Sequence, residues 1–126
     1  EIAEDRRAYT FHLREGLTWS NGEPLTAADF EWSFRRLLEP ETAAPYAYLL
    51  DVVVGAADFR SGRSTDWSRV GIRATDARTL EFQLLTAAPL LELLAHPAFV
   101  PVHRGSIERA ITLQAAAARS LLSKLP

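Results

Sequence analysis

The stretch Thr26 to Pro40, TAADFEWSFRRLLEP, constrains the fold more than any other part of the chain, because it carries both its own start and its own stop. Thr26 and Asp29 have the S/T-x-x-acid spacing of a capping box. Pro40 ends the run, since its ring lacks the N–H that a helix interior needs. The pattern predicts a helix from about Ala27 to Glu39. Phe30, Phe34, Leu37 and Leu38 recur at i, i+4, i+7 and i+8, so one face is apolar and must find a surface to cover it. Glu31, Arg35 and Arg36 lie towards other faces. Trp32 sits off the stripe and requires a second covering surface.

Two stretches with the period of a half-buried strand supply the first surface. In AYTFHLR, Ala8 to Arg14, the residues Tyr9, Phe11 and Leu13 alternate with Thr10, His12 and Arg14. In RVGIRATDARTLEFQLL, Val70, Ile72 and Ala74 alternate, a turn falls at Asp76 to Arg78, and Leu80, Phe82 and Leu84 alternate again, which predicts a β-hairpin. Between the first strand and the helix, Gly16, Asn21-Gly22 and Pro24 mark an ordered loop.

The remaining segments are shorter. Pro40 and Pro45 break the chain before Tyr46 to Phe59, which reads as one or two short helices followed by the polar loop RSGRSTD. Pro89 suits the first position of a short helix that Pro97 ends, and AFVPVHR then reads as extended because of Pro101. Beyond Arg104, Ser106 reads as the cap of a helix with Ile107, Ile111, Ala118, Leu122 and Leu125 on one side. Glu108 near its start and Arg119 and Lys124 near its end suit the helix dipole. The fold class is α+β, a small mixed sheet with a β-hairpin packed by several short helices.

Composition narrows the function. At 126 residues and 48% hydrophobic content the chain has the make-up of one soluble folded domain. A net charge of -2, with thirteen arginines and one lysine spread among sixteen acids, argues against a nucleic-acid partner. The absence of cysteine removes disulfides, thiolate catalysis and zinc-thiolate sites without choosing a compartment. No apolar run approaches the roughly 18 residues of a membrane span, so the chain is not expected to be membrane-spanning. The acidic, polar start EIAEDRRAYT does not read as a signal peptide.

Signatures of a nucleophile elbow, a dinucleotide fold or a phosphate loop are absent, and SGRS lacks the lysine and the spacing of a phosphate loop. His12, His96 and His103 show neither i, i+4 nor H-x-H spacing, so no metal is expected. Glu15 and Glu23 read as solvated acids, and Trp19, Phe30, Trp32 and Phe34 as packing between loop and helix. Tyr46 and Tyr48 differ. They follow Pro45 in a broken segment from which a flat face and a hydroxyl can project into a groove. His96, at the end of its short helix, is the other candidate contact, against a plain dipole-favoured histidine.

Taken in order, Y-T-F-x-L-R, W-S-[DN]-G-x-P-x-T-A-x-D-F and L-x-x-H-P-x-F-x-P-V resemble the extracellular solute-binding protein family 5, the oligopeptide and dipeptide receptors of bacterial ABC importers. The resemblance covers Tyr9 to about Arg104. It implies a subdomain of a periplasmic binding protein type II fold, in which two lobes close on a peptide held by backbone hydrogen bonds in a hydrated pocket. This part resembles the smaller accessory domain, which contributes to the pocket wall, and Tyr46 and His96 match positions that approach the peptide.

The implied activity is binding, with no catalysis and no cofactor. The implied partners are a peptide ligand and the ABC importer permease, in a periplasmic or extracellular setting. Residues 1–104 are read as the accessory-domain-like part and 105–126 as a divergent amphipathic helix. The chain is expected to lack a signal, the start of the large lobe and the whole second lobe. The resemblance leaves the solute open, because family members take up peptides, nickel complexes and haem through residues largely of that other lobe. The alternative is a free-standing interaction module that docks its helical tail onto another protein; an enzyme using His96 is the third reading.

Overall fold

Both alternating stretches form strands, and they pair. In the computed structural model, which describes residues 1–125, β1 (Ala8–His12) lies antiparallel to β3 (Thr79–Gln83), which is also antiparallel to β2 (Ile72–Asp76). Tyr9 stands opposite Phe82 and Phe11 opposite Leu80, so the apolar sets of β1 and the hairpin share a face. Ile72, Leu80, Phe82 and Leu84 are buried there, as the alternation predicts.

Helix α1 (Ala27–Leu38) covers this face. Its start is tied twice. The Thr26 N–H donates to the Asp29 carboxylate at 2.8 Å, and the Ala27 N–H donates to the Ala77 carbonyl in the hairpin turn at 2.9 Å. Phe34 and Leu38 are buried, Phe30 and Leu37 partly so, and the Phe34 ring meets Phe82 edge-on at 5.4 Å. The buried Phe34 and Leu38 each contribute roughly 1.5–3 kcal/mol by leaving water.

Glu31 does something the helical wheel does not show. Its carboxylate accepts from Trp67 Nε1 at 2.9 Å, Arg73 Nη1 at 3.0 Å and the Ala74 N–H at 2.8 Å, joining α1 to β2 and to the 3-10 turn Trp67–Arg69. Arg73 in turn donates to the carbonyls of Trp67, Ser68 and Val70. A charge on an outer face of the helix is thus a joint of the fold.

The 3-10 turn Ala47–Val52 and α2 (Ala56–Arg60) fill the predicted helical region, held together by a two-point pairing of Arg60 with Asp51 at 3.0 and 2.8 Å that raises the pKa of Arg60. Gly55, between them, has φ +72°, and a Cβ there would lie 2.3 Å from the Arg69 carbonyl oxygen. Only glycine meets both demands.

Three details depart from the sequence reading. Pro89 is the residue before α3 (Leu90–Leu94), not its first member. Pro97–Phe99 forms a 3-10 turn before the chain extends, because the Phe99 N–H closes on the His96 carbonyl at 3.0 Å. The last helix, α4 (Arg104–Leu122), is capped by His103 and not by Ser106.

Candidate functional site

The two residues singled out as ligand contacts lie far apart in sequence and side by side in space. Tyr46 follows the left-handed Ala43 and precedes the 3-10 turn Ala47–Val52; Ala47 and Leu50 are buried, which anchors the turn and leaves the Tyr46 ring 46% exposed. Tyr48, the other tyrosine considered, is 54% exposed.

His96 is held from the opposite side. The His96 N–H closes the end of α3 on the Leu93 carbonyl at 3.2 Å, and its Nδ1 accepts from the Ala98 N–H at 3.1 Å. Accepting at Nδ1 places the proton of the neutral ring on Nε2. The His96 and Tyr46 ring centroids are 4.6 Å apart at 52°. From them a series of rings leads into the core: His96 to Phe99 at 5.9 Å, Phe99 to Phe34 at 6.3 Å, and Phe34 to Phe82.

This arrangement fixes the pair without using up its chemistry. The Tyr46 hydroxyl has no hydrogen-bond partner among the described residues, and the Nε2–H of His96 is a donor left over from the turn that holds the ring. An exposed flat face beside a hydroxyl and a ring N–H suits the stacking and hydrogen bonding of a polar, partly flat solute group.

His103, whose spacing in the sequence suggests no metal, has a defined task in the structure. Its Nδ1 accepts from the Ser106 N–H at 3.1 Å and lies 2.8 Å from the Ser106 hydroxyl, while Nε2 lies 2.6 Å from the Glu23 carboxylate. The Trp19 ring meets it edge-on at 5.2 Å. Serine, imidazole and carboxylate in a row invite comparison with a hydrolase triad. Here both ring nitrogens are engaged in capping α4 and tying it to the Trp19–Pro24 turn, and Glu23 makes its contact from a side chain that stays 60% exposed. The only sequence signal was the three-residue spacing of His103 and Ser106. Among the described residues no three His, Cys, Asp or Glu side chains gather to hold a metal ion, and no helix is long and apolar enough to cross a membrane.

Comparison with known proteins adds the context. The profile of the bacterial extracellular solute-binding proteins, family 5 Middle, matches residues 1–121. The probable deoxycholate-binding periplasmic protein YgiS of Escherichia coli K12 is 41% identical over 104 residues, 81% of this chain and 19% of that protein. The periplasmic oligopeptide-binding protein OppA of Salmonella typhimurium is 39% identical over 111 residues, 84% of this chain and 20% of that protein. Among solved structures, Listeria monocytogenes OppA bound to peptide superposes with a TM-score of 0.81 at 37% identity, covering 86% of this chain and 21% of that one. The chain thus spans about a fifth of the relatives it matches.

Proposed function

The chain belongs to the bacterial extracellular solute-binding proteins, family 5, and from that premise we propose that it serves in the solute-binding component of an ABC importer for oligopeptides or dipeptides. In this reading residues 1–104 form an accessory unit that contributes one wall of the solute cleft, and Tyr46 and His96 contact the ligand. The permease of the importer is the protein partner, and the setting is periplasmic or extracellular. The role is binding; no catalytic step is assigned to any residue.

The observation that carries this reading is the Tyr46–His96 pair, two rings at 4.6 Å whose Tyr46 hydroxyl and His96 Nε2 have no partner among the described residues. A wall is a better description than a pocket. The cleft of about 140 Å³ between β1, α1 and α3 is lined by Phe11, Phe30, Phe34, Leu94 and other apolar side chains, not by this pair.

Two titrations test the proposal. The chain alone, titrated calorimetrically with di- to pentapeptides and, in view of the first relative's name, with deoxycholate, shows no tight binding; submicromolar affinity refutes the need for further walls. Residues 1–121 exchanged into the Salmonella relative then retain peptide binding, and Tyr46→Ala or His96→Ala in that exchange weakens it roughly tenfold, the loss of one or two hydrogen bonds. Unchanged affinity in both variants removes the pair from the site.

A further inference from the structure

Helix α4 leaves the body of the protein almost at once. Ile107 is half-buried, and from Glu108 to Leu125 every residue is exposed. Its Ile111, Leu121 and Leu122, with Leu125 just past its end, are 55% to 67% exposed.

The apolar side is ordered. Ile107, Ile111, Gln114, Ala118, Leu121 and Leu125 follow one another at alternating spacings of four and three, the seam of a helix pair. Leu125 lies just past the helix end, where the Lys124 and Leu125 N–H groups close on the Leu121 and Leu122 carbonyls and carry the turn onward. Read backwards, the seam matches itself: Ile107 falls against Leu125, Ile111 against Leu121 and Gln114 against Ala118. The ends are bulky and the middle, around Ala115 to Ala118, is small enough for two helices to approach closely.

The body supplies a second half of the fit. A groove of about 390 Å³ between α1 and α4 is lined by Trp32, Ile107 and Ile111, and its rim carries Glu39, Glu41 and Glu108 against Arg36. Arg104 lies over the Trp32 ring at 5.5 Å, Glu108 pairs with Arg104 and Glu39 with Arg35, whereas Glu41 has no ion-pair partner among the described residues. An apolar floor with the unpaired carboxylate of Glu41 at its rim suits an apolar segment that carries a basic residue. The end of α4 itself is such a segment, with Leu121 and Leu125 flanking Lys124, the one lysine of the chain.

We propose that two copies of this chain associate through α4, the helices antiparallel about a two-fold axis, with Leu121 and Leu125 of each copy entering the groove beside Trp32 of the other. A closed two-fold contact requires such self-complementarity. The parallel alternative sets Lys124 against Lys124 and Glu108 against Glu108, and brings the two bodies to the same end. Neither Tyr46 nor His96 takes part, so solute binding and association are tested separately.

Sedimentation velocity and light scattering on the full chain over a wide concentration series give a dimer mass in reversible equilibrium with monomer. Leu121→Glu with Leu125→Glu raises the dimer dissociation constant by about a hundredfold or more, while thermal unfolding of the body stays in place because these side chains are exposed. Lys124→Glu weakens the dimer severalfold and Glu41→Lys in the same chain restores part of it. The absence of cysteine gives a geometric test. On one helix residues 111 and 121 are about 15 Å apart and cannot bridge; a parallel pair joins like to like and so cross-links through position 121 alone, whereas in the antiparallel register the double variant Ile111→Cys, Leu121→Cys forms a covalent dimer on oxidation. Leu121→Cys alone does not. A monomer at every concentration, a dimer indifferent to the glutamates, or efficient cross-linking by Leu121→Cys alone overturns the proposal.

Discussion

Helices α1 and α4 have the same kind of pattern in sequence, a capped start and one apolar side, and opposite fates in the structure. The stripe of α1 meets the sheet, and Phe34 and Leu38 vanish from solvent. The stripe of α4 meets only the edge of α1 at Ile107 and then runs out exposed. Periodicity therefore predicts a helix and the side it offers. It does not predict what covers that side, which depends on where the chain's other segments, or another chain, come to lie.

The comparison makes the two helices unequal in stability, and the largest effect belongs to α1. Phe34→Ala empties a site lined by Phe82 and Phe99 and lowers unfolding free energy by about 3–5 kcal/mol in urea titration; a loss under half of that places Phe34 outside a well-packed core. Next comes Glu31→Ala, which strands the Trp67 indole N–H, the Arg73 guanidinium and the Ala74 N–H together. Roughly 2–3 kcal/mol is expected, with Glu31→Gln costing less because its amide oxygen still accepts. Equal losses in the two variants exclude the hydrogen bonds as the cause.

A smaller effect is set by pH. Asp76 accepts from the Arg78 N–H and from the Thr79 hydroxyl in the hairpin turn, and these bonds hold its pKa below the usual carboxylate value; Asp66, bonded by the Ser68 hydroxyl and N–H, is lowered likewise. A lowered folded-state pKa favours the fold fully above the unfolded value of about 3.9 and ceases to do so as pH falls through the folded value. Stability followed from pH 6 downwards, through about pH 4, therefore declines, and Asp76→Asn declines less steeply. Identical slopes in the two proteins remove the turn from the acid response.

The smallest effect is expected in α4. Leu113, 64% exposed on the side away from the seam, tolerates Leu113→Ala with a change within about 0.5 kcal/mol in the same urea titration. A loss near that of Phe34→Ala makes the two helices alike and ends the contrast.

Much of the body was legible because its signals are local. The Thr26–Asp29 spacing, the stop at Pro40, the alternation in β1, β2 and β3 and the turn at Asp76 each involve residues within a few positions of one another, and backbone geometry turns such spacings directly into shape. The caps of the other helices were harder to read. Ser106 carries the usual capping residue type, yet His103, three residues earlier, takes the role because Glu23 and Trp19 reach it from a distant turn.

The sequence by itself determined the helix Ala27–Leu38 within a residue of its ends, the hairpin, the inward-facing residues of the sheet, and the order of motifs that marks the family. Tertiary structure alone decided which side chains meet across long separations. It made Glu31 a joint where the wheel showed only a charge off the apolar stripe, set the Tyr46 ring against His96, and left α4 standing clear of the core. The reason is physical: turn, cap and period are encoded over three or four residues, whereas a pair such as Tyr46 and His96 exists only once the buried Leu50 and Phe99 have fixed the two segments that carry it.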